Sequence, residues 1–124
     1  PQSLKGNALP LTPETKLNLG ANYTFDLASG SLTLGATTTY TGDMQTTIFG
    51  QSGYTAPSNT LTDLRALYKD ADDRYTIIGY VKNVTDETAY QSSGLSSATA
   101  IGTLRQTVKL NFPRTYGVEL QYRF

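Results

Sequence analysis

The chain has 124 residues, enough for one ordinary domain, and its 10 basic residues balance its 10 acidic ones, so composition gives no electrostatic case for a nucleic-acid partner. Without cysteine or histidine it cannot build a disulfide framework, a common zinc site, a thiol nucleophile or a histidine base. No run of about 18 apolar residues exists to form a transmembrane helix, and no basic, apolar signal peptide is visible.

The first residue is Pro1 rather than Met, which suggests a cleaved or excerpted chain whose targeting signal lies outside it. Abundant Thr, Gly and Leu, with 9 Tyr and 4 Phe, favour β-structure. The mean hydropathy of -0.33 reads as soluble. Membrane barrels give similar values, because half of each strand faces a polar lumen.

From Thr15 to Leu27, Leu17, Leu19, Ala21, Tyr23, Phe25 and Leu27 alternate with Lys16, Asn18, Gly20, Asn22, Thr24 and Asp26. That period of two predicts a strand with one apolar face. Ala28-Ser29-Gly30 is a turn signal. A second strand is predicted from Ser31 to about Asp43, with Leu32, Leu34, Ala36, Thr38 and Tyr40 on one face. Residues from about Met44 to Asn59 read as a long loop carrying Phe49, Tyr54 and Pro57.

A third strand is expected from about Thr60 to Lys69, then a polar turn at Asp70-Ala71-Asp72-Asp73, then a fourth from about Arg74 to Asn83. In the fourth, Tyr75, Ile77, Gly79 and Val81 share a face, while Ile78 and Tyr80 join Thr76 and Lys82 on the other. Residues from about Val84 to Thr103 read as a second long loop, rich in Ser, Thr, Ala and Gly and carrying Tyr90. The last strand places Tyr116, Val118, Leu120, Tyr122 and Phe124 at alternate positions. Its phase extends back through Phe112, Leu110 and Val108, so it could begin at Arg105, with Pro113 as an edge, bulge or break.

Connections thus run long, short, long, short, long. Transmembrane barrels combine short periplasmic turns with long external loops. In that frame Tyr23, Phe25, Tyr68, Tyr75, Tyr122 and Phe124 fall near the periplasmic ends of the strands, and Tyr40 and Tyr116 near the external ends. Small or aliphatic residues lie between, giving two aromatic girdles. The expected class is all-β, an antiparallel up-and-down transmembrane β-barrel. About five strands cannot close a barrel, whose smallest forms have about eight. A carboxy-terminal fragment of a larger barrel is therefore expected, with one face against outer-membrane lipid.

Three motifs carry a resemblance to one family. Lys82-Asn83-Val84-Thr85-Asp86, after Asp72-Asp73-Arg74-Tyr75, resembles a segment late in TonB-dependent outer-membrane receptors. Pro113-Arg114-Thr115-Tyr116-Gly117-Val118-Glu119-Leu120 through Phe124 resembles their terminal strand. Gly6-Asn7-Ala8-Leu9-Pro10, followed by Pro13 and Leu17-Asn18-Leu19-Gly20-Ala21, is similar to an earlier barrel segment. The resemblance spans nearly the whole chain in order.

It implies residence in the outer membrane of a Gram-negative bacterium and import of a scarce nutrient such as a ferric siderophore. Energy would arrive from TonB through an amino-terminal plug, which lies outside this chain. It also implies a signal for the barrel assembly machinery at Thr115, Gly117, Leu120, Tyr122 and Phe124, since an edge strand templates strand addition.

Phe49, Tyr54 and Tyr90 on the loops are candidate substrate contacts, with loop packing as the alternative. The charges Lys16, Asp26, Asp63, Arg65, Lys69, Lys82 and Glu119 face the lumen in this reading, either lining a route or packing in a hydrogen-bonded wall. Asp70, Asp72 and Asp73 read as turn formers rather than calcium ligands. Asn22-Tyr23-Thr24 and Asn83-Val84-Thr85 match the N-glycosylation pattern but sit in or at the end of strands. Asn83 and Asp86 are expected to close the fourth strand by local hydrogen bonds.

No catalytic pair, cofactor site or metal site is expected, and the chain does not read as an enzyme. A TonB-independent porin or adhesin barrel, and a soluble β-sandwich binding module, stay open as alternatives.

Overall fold

The computed structural model describes residues 4–48, 54–98 and 103–124. The described residues form strands, turns and irregular segments, with nine strands: β1 (Lys16–Leu27), β2 (Gly30–Thr41), β3 (Met44–Gln45), β4 (Thr55–Ala56), β5 (Asn59–Asp70), β6 (Tyr75–Lys82), β7 (Tyr90–Ala98), β8 (Thr103–Leu110) and β9 (Thr115–Tyr122). No helix among them is long and apolar enough to cross a membrane, which says nothing about strands. Two compact units result. One, Asn18–Thr39, Leu61–Glu87 and Phe112–Phe124, carries most of a five-stranded sheet ordered β1-β2-β5-β6-β9. The other carries the two-stranded pairs β3–β4 and β7–β8.

The sheet strands follow the sequence periodicity to within two residues at most ends. Their registers then bring like faces together. Leu64, Ala66 and Tyr68 stand opposite Val81, Gly79 and Ile77, which in turn stand opposite Tyr116, Val118 and Leu120. Because side chains alternate between faces, these residues form one continuous apolar surface. It is not covered: Tyr116 is 79% exposed, Val118 78% and Leu120 66%. A soluble sandwich would hide such a face beneath a second layer. Among the described residues only Ala56, Ile78 and Ala89 are buried hydrophobics.

The opposite face is polar and internally bonded. Asn18 Nδ2 donates to Thr39 Oγ1 at 3.1 Å, and Thr24 and Thr33 share a hydroxyl bond of 2.9 Å between β1 and β2. Leu67 stands opposite Ile78, which is 8% exposed, giving this face a small apolar patch.

At one end of the sheet the connections are short. Ser29 O accepts from Ala71 N at 3.1 Å and from the Tyr68 hydroxyl at 2.8 Å, which ties the two turns together. Gly30 adopts φ +145, and a Cβ there would meet the Lys69 and Asp70 backbone. In the second turn Asp73 takes a left-handed φ of 57, Lys69 Nζ bonds Asp73 Oδ1 at 2.9 Å, and Arg74 bonds Asp72 at 2.6 Å.

The hydrogen bond from Lys69, then its charge, hold the Asp73 carboxyl below its ordinary value, and Arg123 adds a smaller pull. A lowered folded pKa means that the pair's contribution is present above the unfolded carboxylate value and is lost as pH falls through the folded one. In an NMR titration Asp73 should have a midpoint below that of a free aspartate, and Lys69→Met should return it upward. A midpoint unmoved by Lys69→Met would show that the pair does not form.

Two expectations need correction. The segment from about Val84 to Thr103 is not a plain loop, because β7 and β8 pair as an antiparallel hairpin with a bulge between Tyr90 and Ser92. Of the options at Pro113, the break is the one found: β8 ends at Leu110 and β9 starts at Thr115. Pro113 supplies the reason: it has no N–H for a ladder and restricts the residue before it. The region from about Met44 to Asn59 likewise contains the short β3–β4 pair.

Candidate functional site

The apolar face has the residue distribution expected of a surface in contact with hydrocarbon. At the short-turn end the rings cluster, with Tyr75 and Tyr122 centroids 5.0 Å apart, Tyr122 and Phe124 5.1 Å, and Tyr23 and Phe25 4.6 Å. Tyr116 sits toward the other end of β9, opposite Val81. Between them the face is made of Leu64, Ala66, Ile77, Gly79, Val118 and Leu120. A Cβ on Gly79 would meet no atom within 4 Å, so the centre of the face is open. A shallow apolar hollow there is lined by Leu34, Leu64, Ala66, Val81, Tyr116 and Val118.

β9 stands at the end of the sheet order and pairs with β6 from Tyr75↔Tyr122 to Lys82↔Thr115. The candidate signal residues divide between its faces. Thr115 and Gly117 lie on the polar face, and Leu120 and Tyr122 on the apolar one. Thr115 Oγ1 donates to Pro113 O at 2.9 Å. Phe124 lies beyond the strand proper, fully exposed, while Arg123 N still bonds Arg74 O at 3.0 Å.

Gly117 stands opposite Tyr80, and a Cβ at this position would lie 2.5 Å from the Tyr80 hydroxyl oxygen and 2.6 Å from Cζ. The tyrosine ring therefore lies across the glycine. Lys82 Nζ stands 5.8 Å from the centroid of the same ring. Sequence reasoning placed both residues on the polar face but missed their contact.

Of the candidate loop aromatics, Phe49 lies outside the described residues. Tyr54 and Tyr90 are both half-buried. Tyr54 O accepts from Thr46 N at 2.6 Å and from Thr46 Oγ1 at 2.7 Å. Thr46 Oγ1 also bonds Ser93 O at 2.7 Å, and β4 packs against β7. The structure thus brings β4, which Tyr54 immediately precedes, against β7, which Tyr90 opens. Several of the charges expected to face the lumen are engaged in bonds within the chain itself. Asp63 Oδ1 accepts from Asn83 N at 2.8 Å, Lys69 pairs with Asp73, and Glu119 accepts from Gln121 at 2.6 Å.

The Asn83 and Asp86 bonds extend beyond the local ones that were expected. Asn83 and Asp86 take left-handed φ values of 52 and 56. Asn83 Nδ2 donates to Glu87 O at 2.9 Å and to Phe112 O at 3.2 Å, while its Oδ1 accepts from Glu87 N at 2.9 Å. Asp86 Oδ1 accepts from Arg114 N at 2.8 Å. The Lys82–Asp86 motif therefore joins the end of β6 to the segment leading into β9.

No family model and no curated protein matches this sequence. Solved structures do match. Against the ferric yersiniabactin uptake receptor FyuA from Yersinia pestis the TM-score is 0.84 at 18% identity, covering 98% of this chain and 18% of that one. Against BauA, the ferric preacinetobactin receptor from Acinetobacter baumannii, it is 0.73 at 21% identity, covering 94% of this chain and 16% of that one. The chain thus spans under a fifth of the receptors it resembles, and at these identities the likeness is one of fold. Its strands have the arrangement of part of a β-barrel.

Proposed function

We propose that residues 1–124 form the carboxy-terminal segment of the β-barrel of a TonB-dependent receptor, which imports a scarce nutrient such as a ferric siderophore across a Gram-negative outer membrane. The plug and earlier strands belong to the rest of that protein. The observation that carries this reading is the uncovered apolar face of a sheet whose fold matches part of two ferric-compound receptors. In this reading the sheet is barrel wall against lipid, and its edge strands β1 and β9 pair with the barrel's other strands.

The segments around Tyr54 and Tyr90, together with Phe49, meet the substrate from the external side. Thr115, Gly117, Leu120, Tyr122 and Phe124 serve the assembly machinery, because an edge strand with an aromatic face offers unpaired backbone to a templating strand. The chain's role is transport and not catalysis.

The test is uptake of radiolabelled iron from a panel of ferric siderophores by cells whose only receptor is the protein containing this chain. Uptake should be lost when TonB is deleted. Uptake that persists without TonB would refute the receptor reading and favour a passive porin.

A further inference from the structure

Asn83 is 5% exposed and uses its whole amide: both Nδ2 hydrogens and Oδ1 are bonded. Its backbone N donates to Asp63, and its carbonyl accepts from Asp86 N at 2.9 Å. Those bonds hold the outgoing chain at Glu87 and the returning chain at Phe112. Asp86 repeats the connection one step out by accepting from Arg114 N, whose side chain reaches Val84 O at 3.5 Å. We infer that Asn83 is a positioning residue that cinches the root of the segment between Glu87 and Phe112.

The residue type is tightly specified. Asparagine tolerates a left-handed backbone and offers two donors and an acceptor on a short stem. Aspartate would lose both donors and set a second carboxylate beside Asp63. Glutamine would be one methylene too long. Alanine would be strained at φ 52 and would remove the side-chain bonds to Glu87 and Phe112.

Bonds that bridge the two ends of a long excursion offset its closure entropy, so losing them frees the whole segment at its root.

Limited trypsin digestion of the intact, detergent-solubilised protein tests this without any ligand. Asn83→Gly removes the side-chain bonds while keeping an easy positive φ. Cleavage of a paired strand tracks its local opening. Asn83→Gly should therefore raise cleavage after Arg105 and Lys109 in β8 by about tenfold. Cleavage after Arg65 and Lys69 in the sheet should stay at the wild-type rate. Asp86→Gly, which likewise keeps an easy positive φ, should give a smaller rise at the same two sites, and it carries the test if Asn83→Gly is not recovered folded. Unchanged β8 cleavage in the recovered variants, or an equal rise at all four sites, would overturn the inference.

Discussion

Arginine in place of Val118 should destabilise the inserted protein by about 2–4 kcal/mol, the range for a cationic side chain on the lipid face near the bilayer midplane. Val118 is 78% exposed, and in a water-soluble protein a change at so open a site costs within about 0.5 kcal/mol. The two environments therefore give different magnitudes for one substitution. Glu119 supplies the control, since it sits next in β9 and faces the polar side, opposite Ile78. Glu119→Arg should cost about 1 kcal/mol or less. Folding titrations into lipid vesicles measure both. Equal, small effects at the two positions would mean that the apolar face does not meet hydrocarbon.

The second large effect is expected at Gly117, where the Tyr80 ring occupies the space that a side chain would need. Gly117→Val should lose about 2–3 kcal/mol, because a β-branched side chain must displace the ring or shift β9 from its register. Tyr80→Ala in the same molecule removes the obstruction. The double variant should recover at least half of the loss, a non-additivity that double-mutant cycles read directly. Simple additivity would show that Gly117 matters for backbone freedom alone. The ring contact also gives a physical content to the glycine of the proposed assembly signal: a strand added with the wrong register would set Tyr80 against a side chain.

How much of this was legible depends on whether the information is local. Leu17 through Leu27 and Tyr116 through Tyr122 declare their faces by alternation, and the structure keeps those faces. β7 does not declare itself, because Tyr90-Gln-Ser-Ser-Gly-Leu-Ser-Ser-Ala98 has no alternating apolar set, and it is the backbone register with β8 that makes it a strand. The break at Pro113 was visible as one of several options, and choosing among them required knowing that Phe112 O bonds to Asn83.

The contacts that matter most at the candidate site join residues far apart in sequence. Asn83 to Phe112 and Asp86 to Arg114 span separations of 29 and 28. Tyr80 over Gly117 is a cross-strand pair that only the register reveals. The Lys82–Asp86 motif carries a resemblance in sequence, and its hydrogen bonds supply a structural reason for that string of residues. The ion pairs of Asp72 and Asp73, by contrast, are made with immediate neighbours, Arg74 and Lys69.

The chain contains no cysteine, so single cysteines can be placed at positions 115 to 122 of β9 without removing any native one. Each is labelled with an environment-sensitive probe in the membrane-inserted protein and exposed in turn to a lipid-soluble and a water-soluble quencher. Alternation is expected: 116, 118, 120 and 122 quenched from the lipid, and 115, 117, 119 and 121 from water. Strong water-phase quenching at 118 and 120, without alternation along the strand, would mean that this face does not meet the bilayer.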